Sequence, residues 1–102
     1  MRVTIIPADG FVSINDANFS NLNLSLIDPT IHAVQWYDTY GEVEIKDAET
    51  NRIVENRQIT SIDEFQPAID AWQVAKDEYE AAVAAAEAAA ETPIGGAPNV
   101  IA

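Results

Sequence analysis

A chain of 102 residues with 48% hydrophobic content has the size and composition of one small globular domain. Seventeen acids against five bases give a net charge of −12, and that field argues against nucleic acid and anionic membranes as partners, since both are bound by Lys and Arg displacing counterions. There is no cysteine, hence no disulfide framework and no thiolate zinc site.

The charge is spread along the chain. Residues 1–60 hold nine acids and four bases, a net of −5, and residues 61–91 hold eight acids and one base, a net of −7. Met1 to Asp9 has one Arg and a short apolar run ending at Pro7, too short for a signal peptide. No apolar stretch approaches the roughly 18 residues that span a bilayer. The expectation is a protein made and folded in a cytoplasm.

Val3 and Ile5, then Phe11, Val12 and Ile14, flank Pro7-Ala8-Asp9-Gly10. Proline sets φ and Asp-Gly supplies the positive φ of a tight turn, so the pattern predicts a hairpin of residues 2–6 with 11–15. Asn15 to Asn23 is rich in Asn, Asp and Ser, which compete locally for the backbone, and reads as a loop. Leu22, Leu24 and Leu26 alternate with polar residues and fit either a short strand or an irregular turn before Asp28-Pro29.

Ile31 to Tyr37, a turn through Asp38 to Gly41, and Glu42 to Lys46 give the clearest β signal, with Val43 and Ile45 facing the core and Gly41 closing the turn. A further turn over residues 47–52 leads to a third strand, Ile53 to Ile59. The head is thus expected to be an antiparallel sheet of about five strands. At about sixty residues it buries only roughly 60% of its unfolded surface and leans on something else for stability.

Ser61-Ile62-Asp63-Glu64 matches a capping box and starts a helical register. Pro67 then deletes a backbone bond, which favours a break between a one-turn helix ending near Phe65 and a second helix with Pro67 in its first turn. Through Glu91 the chain is Ala-rich with Glu, Lys and Gln, a strong helix-forming mixture. Thr92-Pro93 stops it, and residues 94–102 have no periodicity and are expected to be flexible in isolation. The predicted fold class is α+β: a small antiparallel β-sheet head (1–60), a long Ala-rich C-terminal helix (61–91) and an irregular tail (92–102).

Ile62, Phe65, Ile69, Trp72, Lys76, Tyr79, Val83, Ala86 and Ala90 are spaced alternately by three and four, the heptad seam of a coiled coil. Its first half is bulky and its second half mostly alanine. Three readings are open. The helix is a solvated extension; or Phe65, Ile69 and Trp72 cap the head while residues 76–91 stand free to bind; or the whole seam self-associates. The partner-binding candidates are Ile69, Trp72, Lys76, Tyr79, Val83, Ala86 and Ala90, with Tyr40 at the main turn as a separate contact.

Catalytic and metal chemistry find no pattern. His32 is the single histidine and reads as a half-buried ring on a strand. Asp28 and His32 have no third ligand, and Asp9-Gly10 lacks the rest of a calcium loop. None of Ser13, Ser20, Ser25 and Ser61 sits in a nucleophile-elbow setting, and Gly95-Gly96 is not a phosphate loop. No enzyme activity and no cofactor are expected.

His32-Ala33-Val34-Gln35-Trp36, Gly41-Glu42-Val43-Glu44, Asn56, Ile59-Thr60-Ser61, Phe65-Gln66 and Trp72 together resemble small proteins encoded near the tail-fibre genes of tailed bacteriophages. The resemblance covers roughly residues 28–75. It implies a tail-fibre assembly chaperone or minor tail component whose helix grips a fibre or baseplate subunit, in the host cytoplasm during assembly or in the virion. The rival readings are a capsid or tail decoration protein held by the edge of the head's sheet, and an acidic inhibitor of a host protein.

Overall fold

The computed structural model describes residues 1–91. Pro7 to Asp9 forms a single 3₁₀ turn closed by Gly10 at φ 59°, whose N–H donates to the Pro7 carbonyl at 3.1 Å. A side chain at position 10 would also collide with the loop that follows: its Cβ would lie 2.6 Å from the Leu22 carbonyl oxygen. This turn joins β1 (Arg2–Ile6) to β2 (Phe11–Ile14) in antiparallel register, Ile6 opposite Phe11 and Val3 opposite Ile14.

Residues 15–23, expected as a loop, contain a strand. Asn15 and Asp16 both take positive φ, 49° and 71°, the geometry of a two-residue hairpin turn whose twist matches its strands. The chain therefore folds straight back as β3 (Ala17–Phe19) on β2. Leu22, Leu24 and Leu26 are not a strand. Leu24 and Ile27 plug the core from an irregular segment, while Leu26 points outward at 82% exposure.

β4 (Ile31–Tyr37), β5 (Gly41–Lys46) and β6 (Ile53–Ile59) form the expected meander. At the β4–β5 turn the Tyr37 N–H donates to the Tyr40 carbonyl at 2.7 Å, and the positive φ falls on Asp38 (85°), not on Gly41. Gly41 is needed for close approach instead: a Cβ there would sit 2.5 Å from the Gln35 carbonyl oxygen and 2.9 Å from a carbon of the Trp36 ring. A bulge between Ile31 and Ala33 keeps Ile31 in the core and turns His32 outward. His32 is exposed, correcting its reading as half-buried.

All six strands belong to one antiparallel sheet in the order β3-β2-β1-β4-β5-β6, one strand more than expected. Alternation gives the sheet one apolar face, built from Val3, Ile5, Val12, Val34, Trp36 and Val43. The other face is polar and open, with Thr4 bonded to Gln35 at 2.9 Å and Asn56 to Glu42 at 3.0 Å. The fold is α+β, the sheet followed by one long helix, α1 (Gln66–Glu91).

The junction before α1 departs in part from the capping-box expectation. The Ser61 hydroxyl accepts from the Asp63 N–H at 3.2 Å, but Glu64 binds Arg57 at 3.2 Å instead of reaching back to Ser61. Asp63–Phe65 is a 3₁₀ turn, and α1 begins at Gln66 with Pro67 in its first turn, where a missing N–H removes no helical bond. The stop at Thr92-Pro93 and the tail 94–102 lie outside the described residues.

Candidate partner-binding ridge

The seam divides where the sheet ends. Phe65 (1% exposed), Ala68 (0%) and Trp72 (8%) enter the core, with Ile69 half-buried beside them. α1 lies over the β2 and β3 end of the sheet. There the Trp72 Nε1 donates to the Ala17 carbonyl at 2.8 Å, and the Trp72 ring meets Phe19 edge to face at 6.2 Å between centroids. Trp72 is thus a core residue of its own chain. Ile69 belongs to the same docking face.

Lys76 marks the change. Its ammonium is 6.0 Å above the Trp72 ring and pairs with Glu80, one turn on, at 2.6 Å. Tyr79 meets the head edge to face at Phe19, 6.0 Å between centroids, and is 60% exposed. Val83 is 38% exposed, and Ala86 and Ala90 are exposed. Asp77, Glu78, Glu80 and Glu87 are exposed around this stretch. The distal ridge is therefore a row of small apolar side chains beside carboxylates.

Tyr40 is 54% exposed but lies elsewhere, its ring 5.2 Å from Tyr37, which in turn carries the Arg2 guanidinium at 4.7 Å. It does not join the helix ridge. Phe19 is the residue that sequence reasoning passed over: it clamps both Trp72 and Tyr79, and only recognition of Asn15-Asp16 as a hairpin turn would have placed it on a strand.

Two carboxylates hold turns rather than chemistry. Asp28 is kept below the ordinary carboxylate range by the Thr30 backbone N–H first and the Thr30 hydroxyl second. Asp47 is lowered by the N–H groups of Thr50 and Glu49. Among the described residues no three His, Cys, Asp or Glu side chains are grouped to hold a metal ion, and no helix is long and apolar enough to cross a membrane. A concavity of about 430 Å³ between Pro7, Leu22, Leu24, Ile27 and Lys46 has Lys46 as its one charged side chain.

Comparison of the chain with protein-family models, with curated proteins and with solved structures finds no match.

Proposed function

We propose that this is a non-enzymatic docking protein of a bacteriophage tail, a tail-fibre assembly chaperone or fibre-associated virion protein, which grips a fibre or tail subunit with α1 from Lys76 onward. One observation supports this above others: a single three-four seam enters the core through Trp72 and is exposed from Tyr79 onward.

Docking of Phe65, Ala68 and Trp72 supplies the costly first turns of the helix, and alanine then propagates it at little further cost. The ridge is thus ordered before a partner arrives, which lowers the entropy lost on binding. Alanine lets another backbone come close, and the flanking carboxylates favour a partner with a basic rim.

The test is co-expression with a phage tail-fibre subunit, followed by co-purification. The full chain is expected to retain the fibre, and a chain truncated at Asp77, or the pair Tyr79→Ala with Val83→Asp, to lose it. Retention by both variants would move the interface to the head. A fibre that folds fully without the protein, in particles that still contain it, would remove the chaperone role and leave fibre association.

A further inference from the structure

The two edges of the sheet are finished differently. β3 is three residues long, and Trp72 occupies the Ala17 carbonyl while Phe19 lies under Trp72 and Tyr79. β6 is seven residues long and, among the described residues, pairs with β5 alone, which leaves its outward N–H and C=O groups without a strand partner. Proteins usually blunt such an edge with proline, charged side chains, a bulge or a covering element. β6 reads Ile-Val-Glu-Asn-Arg-Gln-Ile, with neither proline nor lysine; a bulge at Val54 guards its first residues, and from Glu55 onward the only charges, Glu55 and Arg57, are of opposite sign.

We propose that β6 is a self-pairing edge: two copies of this chain join antiparallel about Asn56. The sequence of the strand is complementary to itself in that register. Glu55 stands opposite Arg57 of the second copy, twice over, on either side of the Asn56 pair, and the regular ladder ends at Val54, where a bulge interrupts β6. Opposite charges directly across from each other stabilise an antiparallel ladder, and like charges destabilise it.

The neighbouring registers fail for a chemical reason. Outward-pointing backbone groups meet only when the strand is shifted by two residues at a time. A shift one way centres the pair on Glu55 and sets two carboxylates face to face; a shift the other way centres it on Arg57 and opposes two guanidiniums.

Arg57 is free to take part. It holds Glu64 through Nη2 alone at 3.2 Å, and its side chain is 40% exposed. Pairing about Asn56 fuses the two sheets into one continuous sheet with both α1 helices on the same face. Because α1 lies over the β2 and β3 end of each sheet, the dimer would present its two distal ridges at opposite ends.

Charge reversal tests the register using the full chain. By sedimentation equilibrium from about 1 μM to about 1 mM, which spans standard to weak interfaces, the unmodified protein is expected to dimerise. Glu55→Arg alone and Arg57→Glu alone should each raise the dimer dissociation constant about tenfold or more. An equal mixture of those two variants should recover a heterodimer, because every opposed pair is again of opposite sign; a general folding defect would not be repaired by mixing.

Because the chain has no cysteine, Asn56→Cys should form a disulfide-linked dimer under mild oxidation faster than Thr39→Cys, placed at the exposed β4–β5 turn. A monomer across the whole concentration range, or single variants that dimerise like the parent, would overturn the proposal. So would a mixture that stays monomeric while the parent dimerises.

Discussion

Residues 66–75 and 76–91 belong to one unbroken helix and share one seam, yet they do different work. The first part closes the apolar face of the sheet and is held by Trp72 and Ala68. The second part has run past the sheet, with Tyr79 edge to face on Phe19 at its start. The difference teaches that a heptad pattern states which side chains share a stripe, and the extent of the neighbouring surface decides how many of them are covered.

The contrast is broken most severely at Trp72. Trp72→Ala removes a buried ring, its edge-on contact with Phe19 and the bond to Ala17, and is expected to lower stability by about 3–5 kcal/mol in urea unfolding. Tyr79→Ala, at the boundary, loses one aromatic contact and should cost about 0.5–1.5 kcal/mol in the same measurement. Truncation after Glu80 should change the stability of the head by no more than about 0.5 kcal/mol, since residues 81–90 are exposed. A large loss there would mean that the distal ridge is part of the core after all.

The smallest effect concerns acid. Asp28 and Asp47 have folded values lowered by N–H donors in their own turns. Their stabilisation is therefore fully present above the unfolded carboxylate value of about 3.9 and fades as pH falls through the lowered folded values. Asp47→Ala should consequently be less stable than the parent at neutral pH, and the gap should close in acid. Neither turn lies on α1, so the truncated chain should show the same acid limb.

The meander from Ile31 to Ile59 was legible because its strands are long enough for alternation and turn residues to repeat. β3 was not, since Ala17-Asn18-Phe19 is too short to display a period and its identity rests on the two positive φ angles before it. Gly41 was located correctly but for another reason: the turn needed a positive φ at Asp38, and Gly41 yields room to Trp36. The ridge was legible as a spacing, while the residue at which burial stops was not, because Ile69 and Val83 occupy equivalent seam positions. Nothing in the strand residues Glu55 to Gln58 told that β6 would be an edge; that follows from the sheet order.

Both tryptophans, Trp36 on β4 and Trp72 at the contact with Ala17, sit inside the head, while more than half of α1 lies beyond them. Indole emission will thus follow collapse of the sheet and be blind to fraying past Tyr79, whereas far-ultraviolet ellipticity will weight the alanine stretch. The molecule carries two separate optical channels, and a gap between their melting curves reads the independence of the ridge directly.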